Sequence, residues 1–215
     1  MSKLRCHISI SADGFVAGPG QSEENPLGER GELLHGWAVS LAAWRAPHAR
    51  EGGEENASSR IMAETLAGVG AGIMGRNMFG PIGGGDWGDR QWTGWWGDDP
   101  PYHNDVFVVT HHPREPVEMQ GGTTYHFVTD GIEAALAQAK EAAGGKDVML
   151  WGGAQIINQY LAAGLLDELE LHIVPLLLGG GARLFENLGG AEVKLEQVRA
   201  LEAPGVTHVK YRVVK

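Results

Sequence analysis

Residues 147–174 read DVMLWGGAQIINQYLAAGLLDELELHIV, and three patterns follow one another within them. DVMLW is a short, continuous apolar run of the kind a buried strand needs, and Gly152-Gly153 close it in a turn. In AQIINQYLAAGLL the residues Ile156, Ile157, Tyr160, Leu161 and Leu165 share one face at helical spacing. Leu169, Leu171 and Ile173 then alternate with Glu168, Glu170 and His172, the period of two that marks a strand. Strand, turn, helix and strand in that order are the unit from which parallel sheets are built.

The rest of the chain extends this pattern. Leu4, Cys6, Ile8 and Ile10 alternate with Arg5, His7, Ser9 and Ser11, which predicts a first strand with one buried face, ending at the turn-prone Asp13-Gly14. LLHGWAVSLAAWR, 33–45, has helical character. A second short helix is predicted from about Arg60 to Leu66, after the polar interval HAREGGEENASS. VGAGIMG, 69–75, reads as a strand running into a glycine turn. The following 82–105, rich in Gly, Pro, Asp and Trp, has no periodicity and reads as either a long ordered loop or a disordered one. VFVVT and TTYHFV are strands, and a helix is predicted between Asp130 and Gly144, opened by an Asp130/Glu133 capping box. Two more strands close the chain, near VKLEQV and THVKYRVV. The expected architecture is a three-layer α/β/α domain over 1–215, with a mainly parallel sheet and antiparallel C-terminal strands.

Composition sets limits on function. Of 215 residues, 43% are hydrophobic and 20% charged, an ordinary globular balance. Seventeen basic against 27 acidic residues give a net charge of -10, a field that repels phosphate backbones and argues against nucleic acid as a partner. Cys6 is the single cysteine, which excludes an intrachain disulfide and a multi-cysteine zinc site. The apolar run in MSKLRCHISI is too short for a signal peptide, and no stretch approaches the roughly 20 apolar residues of a membrane helix. A cytoplasmic location, without membrane contact, is the expectation.

Several motifs are suited to chemistry. In GGAQIINQYL two glycines between a strand and a helix let backbone N–H groups approach a pyrophosphate, or simply make a tight turn. Gly75 allows a sharp turn that leaves Arg76 free to offer its guanidinium to a phosphate, such as the 2'-phosphate of NADPH; a solvated surface arginine is the plainer alternative. Thr110, His111 and His112 end a further strand, where a nucleotide could lie. Adjacent strand residues face opposite ways and no carboxylate cluster accompanies them, so no metal is expected. Asp13 stands at the strand edge where open α/β sheets bind ligands, suited to orienting a substrate or sharing its proton. Trp87 and its neighbours Trp92, Trp95 and Trp96 either wall a flat substrate or pack under their own loop or at a subunit contact.

Taken in order, SISADGFVAG, IMGRNMFG, VVTHHP, WGGAQIINQYLAAGLLDELELHIVPLLLGGGARLF and a closing hairpin resemble the dihydrofolate-reductase-like superfamily over nearly the whole chain. More narrowly the chain resembles the C-terminal reductase domain of the bifunctional riboflavin-biosynthesis deaminase/reductases. The resemblance implies an NADP(H)-dependent oxidoreductase with NADPH lying across the strand ends, and a homodimer. It places Gly75, Arg76, Asn77 and Met78 at the adenosine end beside Thr110 and His111. It also puts Gly152, Gly153, Ala154, Gln155 and Ile156 at the pyrophosphate and Ala17 near the nicotinamide. Asp13 matches the acidic residue that contacts substrate, as the catalytic candidate, and Phe79 is a candidate pocket wall. Met78 replaces a common threonine of true dihydrofolate reductases, and LLHGWAVSLAAWR lacks their helical acidic residue, which argues against folate reduction. The implied reaction is hydride transfer to a small heterocyclic or carbonyl substrate, pyrimidine-like or pteridine-like. A nucleotide or metabolite sensor on the same fold, or a glycan-binding module on the tryptophan loop, are the competing readings.

Overall fold

A computed structural model describes residues 2–83, 85–89 and 91–215. Among them β1 (Leu4–Ser11) runs inside a nine-stranded sheet, parallel to β7 (Asp147–Gly152) on one side and to β8 (Glu168–Val174) on the other. The short β2 (Phe15–Ala17) and β9 (Ala182–Arg183) pair apart from it as a two-stranded ribbon. Beyond β7 lie β3 (Val69–Gly75), β4 (Asp105–Val109) and β6 (Thr124–Val128), all parallel, with β5 (Val117–Glu118) antiparallel at that edge. Beyond β8 the hairpin of β10 (Lys194–Ala203) and β11 (Val206–Val214) is antiparallel. The sheet is mainly parallel with antiparallel C-terminal strands, as the sequence pattern predicts.

Two amphipathic helices cover one face. α5 (Ile132–Ala142) contributes Ala135, Leu136 and Ala139, and α6 (Ala154–Ala162) contributes Ile156, Ile157, Tyr160 and Leu161. They pack on Leu4, Cys6 and Ile10 of β1, Ala71 and Ile73 of β3 and Leu150 of β7. Each large apolar side chain sealed here contributes about 1.5–3 kcal/mol. α6 stops at Ala162, short of Leu165, because Gly164 at φ 66° opens a left-handed exit. Leu165 N then donates to Tyr160 O and Gly164 N to Leu161 O, the paired bonds of a Schellman ending. α5 is capped by Gly131 with no side-chain bond, so the Asp130/Glu133 capping box is not formed.

The other face differs from the sequence reading. LLHGWAVSLAAWR is not one helix: a 3-10 turn over Gly31–His35 leads into α1 (Gly36–Val39), and extended Leu41 separates it from α2 (Ala42–Arg45). The polar interval folds back to cause the break, with Glu54 N donating to Ser40 O at 2.8 Å and Ala42 N to Glu54 O at 3.1 Å. α3 (Ala57–Leu66) starts earlier than expected because Asn56 Oδ1 accepts from Ser59 N at 3.1 Å as its N-cap. α4 (Arg76–Phe79) is a single turn after β3.

Nor is the polar side of β1 open to water, since Ser9 and Ser11 are buried under this layer. Trp37 Nε1 donates to Ser9 Oγ at 3.1 Å. Thr65 Oγ1 donates to Glu170 Oε2 at 3.2 Å, and Arg199 Nη2 to Glu170 Oε1 at 2.9 Å. A line of imidazoles crosses three strands: His7 Nδ1 lies 3.3 Å from His172 Nε2, His172 Nδ1 2.8 Å from His208 Nδ1, and His208 Nε2 2.9 Å from Ser58 Oγ. The polar alternation of β1 and β8 therefore marks a second buried layer joined by hydrogen bonds.

Burial lowers the pKa values of His7, to about 4, and of His172 and His208, with Arg5 adding to the effect at His7. The unfolded chain thus binds more protons than the folded one below the ordinary histidine value. Stability should be full above about pH 6.5 and fall as the pH is lowered from there toward 4, with His7 alone accounting for about 2–3 kcal/mol. Urea midpoints measured from pH 8 to pH 4 check this, and a flat profile in that window would refute it.

Candidate functional site

Six parallel strands, β8, β1, β7, β3, β4 and β6, end at one edge of the sheet, and the segments that leave them carry most of the predicted site residues. Ligands of open α/β sheets bind at such an edge, and the strand order reverses direction here because β7 enters between β1 and β3. The Gly152 turn and the Gly75 turn are brought together. A Cβ on Gly75 would lie 3.5 Å from Ile156 Cβ and 3.7 Å from Gly152 O, and one on Gly152 3.6 Å from Met78 Sδ. Gly152 also adopts φ 120°, which strains any other residue. Thr110 and His111 follow β4 next door: Thr110 is buried, its Oγ1 accepting from His112 N at 3.1 Å, while His111 and Asn77 are exposed.

Gly153 caps α6 without a side-chain bond, so the amides of Ala154, Gln155 and Ile156 stand in the first turn, where a helix has no acceptor of its own to offer. Ala154 and Ile156 are buried and Gln155 is exposed. The unpaired amides give this terminus a positive potential.

Arg76 is not free, in contrast to the expectation. Its Nη1 donates to Gly80 O and, at 3.1 Å, to Pro81 O, and its guanidinium lies 3.8 Å from the Trp87 ring centroid. Arg114 lies 5.0 Å from the same ring and donates from Nη1 to Trp92 O at 2.6 Å. Burial lowers the pKa of both arginines, and at Arg76 the Arg114 charge adds to it. Among the described residues neither guanidinium has a carboxylate partner.

Two predicted substrate contacts are corrected. Phe79 is 1% exposed and packs edge-on against Tyr125 and Phe127, so it belongs to the core and walls no pocket. Trp87 packs under its own loop: both arginines occupy its ring, and its Nε1 donates to His112 O at 2.9 Å. Ala17 is buried in the β2–β9 ribbon opposite Ala182.

Asp13 accepts three hydrogen bonds. Ser11 Oγ donates to its Oδ1 at 2.6 Å, Leu178 N to Oδ1 at 3.1 Å and Gly179 N to Oδ2 at 2.7 Å. The Ser11 hydroxyl and these amides hold its pKa at about 2, so it remains a carboxylate. The arrangement suits a clamp between the end of β1 and the loop after β8.

Sequence reasoning missed a group on the buried polar face. His7 and Trp151 meet at 5.7 Å between ring centroids, Trp151 and Tyr102 at 5.2 Å, and Trp37 and His172 at 4.7 Å. Trp151 precedes the Gly152 turn, and its indole crosses Gly72, where a Cβ would come within 2.3 Å of Nε1. The available signal was the choice of histidine at His7, His172 and His208, where a solvated strand face more often carries lysine or glutamate.

The RibD C-terminal domain family matches residues 2–209. The uncharacterized Bacillus subtilis (strain 168) protein YyaP is 30% identical over 92 residues, 41% of this chain and about half, 48%, of that protein. A putative riboflavin biosynthesis protein from Shewanella sp. PV-4 superposes with TM-score 0.65 at 20% identity over 99% of both chains. Dihydrofolate reductase from Enterococcus faecalis, solved with NADP(H), superposes with TM-score 0.51 at 11% identity over 99% of this chain and 97% of that one. The fold is dihydrofolate-reductase-like.

Replacing Asp13 by Ala removes the acceptor for two loop amides. Hydrogen exchange at Leu178 and Gly179 should accelerate by about tenfold or more, as loss of a charge-assisted bond predicts. Exchange there that matches the unaltered protein would remove the clamp.

Proposed function

The chain belongs to the RibD C-terminal domain family, and from that premise we propose that it is an NADPH-dependent reductase acting on a small heterocyclic or carbonyl compound. The observation that carries this reading is the pairing, at one sheet edge, of a helix terminus without a side-chain cap and two guanidiniums that have no carboxylate partner among the described residues. A dinucleotide with an added phosphate carries negative charge at two separated places, and the chain offers positive potential at two. The amides of Ala154, Gln155 and Ile156 would take the pyrophosphate. Arg76 and Arg114 would take the 2'-phosphate, with Asn77 and His111 on the exposed rim. The dihydrofolate reductase solved with NADP(H) supports the same cofactor for this fold.

When bound, the reduced nicotinamide supplies a hydride, and the protein supplies orientation. Asp13 acts in this reading by fixing the loop at Leu178 and Gly179 rather than by donating a proton, because its carboxylate remains ionised. Substrate contact by Asp13 would then be through a hydrogen bond it accepts.

A homodimer through β10 is part of the proposal. That edge strand exposes Leu195 at 38% and Val198 at 58%, and an apolar edge with open ladder groups favours a second copy.

Replacing Arg76 by Ala should weaken NADPH binding by about tenfold or more, the scale of one charge-assisted bond, and leave NADH within about twofold. Calorimetric titration measures both, and equal losses would sink the 2'-phosphate assignment. For the dimer, sedimentation should show two-chain particles that Val198→Glu converts to single chains; a monomeric wild-type protein would dismiss it.

A further inference from the structure

Trp87 is where two guanidiniums meet. That of Arg76 lies 3.8 Å from its ring centroid and that of Arg114 5.0 Å, although Arg76 opens the turn after β3 and Arg114 lies in the segment after β4. Two like charges brought against one ring repel each other, and each feels the loss of solvent: burial lowers the pKa of Arg76, and the Arg114 charge adds to it. Among the described residues no carboxylate offsets this. Asp86, the acid beside Trp87 in the chain, turns one oxygen to Trp87 N at 2.7 Å. The electron-rich face of the indole, together with a few loop carbonyls, holds the cations where an acid would otherwise stand.

Resting on the reductase reading above, we propose that Trp87 is a positioning residue that gives the chain its preference for NADPH over NADH, its indole holding Arg76 and Arg114 together for the 2'-phosphate.

The ring itself is fixed. Its Nε1 donates to His112 O at 2.9 Å, and Phe79 and Phe127 meet it edge to face at 5.8 and 5.0 Å, tilted by 77° and 72°. Phe79 is buried and Phe127 belongs to β6, so the indole is anchored to the sheet although a loop carries it. An arginine stacked on an anchored ring loses little further freedom when a ligand arrives.

Both arginines keep donors for that ligand. Arg76 gives Nη1 to Gly80 O and Pro81 O, and Nη2 to Gly85 O at 3.4 Å, while Arg114 gives Nη1 to Trp92 O. A guanidinium has five N–H groups, and these bonds use fewer than five on either side chain. Both side chains are partly exposed, so a ligand can reach them. A phosphate monoester brings close to two negative charges and three acceptor oxygens at neutral pH, enough to accept from both guanidiniums at once. Because the fold has already brought the cations together, the phosphate does not have to. NADH lacks that phosphate, so a change confined to Trp87 should act on one cofactor and spare the other.

Adenosine 2',5'-bisphosphate and adenosine 5'-monophosphate differ by this phosphate alone and serve as probes. Both are titrated calorimetrically, beside NADPH and NADH, into the wild-type protein, Trp87→Leu, Trp87→Phe, Arg114→Ala and the Trp87→Leu/Arg114→Ala double variant. The wild type should favour the bisphosphate over the monophosphate, and NADPH over NADH, by about tenfold or more, the scale of charge-assisted bonds. Trp87→Leu should remove most of that preference, and Trp87→Phe, which keeps an aromatic face, should restore part of it. NADH affinity should stay within about twofold throughout, which also reports that each variant is folded. Since Trp87 acts through the arginines, the double variant should lose no more than the larger single loss. A preference unchanged in Trp87→Leu, a parallel loss of NADH, or additive losses in the double variant would each overturn the proposal. NADPH and NADH bound tightly and alike by the wild type would overturn it too and leave a reductase indifferent to the phosphate. A protein that selects the bisphosphate through Trp87 but oxidises NADPH with none of a panel of carbonyl and heterocyclic acceptors would instead overturn the reductase reading and keep the paired-arginine site. Absence of binding by all four compounds would overturn both.

Discussion

The ligand-facing edge depends on β7 entering the sheet between β1 and β3. Those two are the first strands of the nine-stranded sheet in chain order, yet they do not pair with each other; β7 holds both through parallel ladders, Leu4 to Val148 and Ile73 to Leu150. Remove that insertion and the Gly152 turn no longer lies beside the Gly75 turn, and Trp151 no longer lies beside His7. Gly72 permits it at close range, since only a residue without a side chain lets the Trp151 indole cross β3. A backbone approach of this kind cannot be exchanged for another contact.

Strands and helices that bury one apolar stripe were legible in the sequence. DVMLW, AQIINQYL and LELHIV announce themselves because period and burial agree there. The same logic failed where burial was polar. β1 and β8 read as half exposed because Arg5, His7, Ser9, Glu170 and His172 are hydrophilic, but α1 and α3 cover that face, with Trp37 bonded to Ser9, Thr65 to Arg5 and Glu170, and Ser58 to His208 at the end of the imidazole line. No alternation rule distinguishes a polar face that meets water from one that meets a polar helix. The break in LLHGWAVSLAAWR was invisible for a related reason: its cause, Glu54, lies outside the segment.

The candidate site was legible as segments and less so as side chains. Glycine turns that end parallel strands can be placed from the pattern, and they do converge. What each side chain does there depends on neighbours that are distant in sequence. Arg76 reads as a free guanidinium until the loop carbonyls of Gly80 and Pro81 come back to it, and Arg114, not singled out by any motif, arrives over Trp87 from another strand end. Phe79 reads as a wall because it follows a ligand motif, while its ring points into the core between Tyr125 and Phe127.

The position of β1 has a further consequence during synthesis. Both of its partners, β7 and β8, begin more than 140 residues later in the chain. At about 5–20 residues per second, roughly 7–30 s pass between translation of β1 and of β7. Through that interval Leu4, Cys6 and Ile10 have no ladder to join, and both edges of a nascent strand stand open. β1 is made well before it can be placed, which gives this segment much to gain from a chaperone at the ribosome exit.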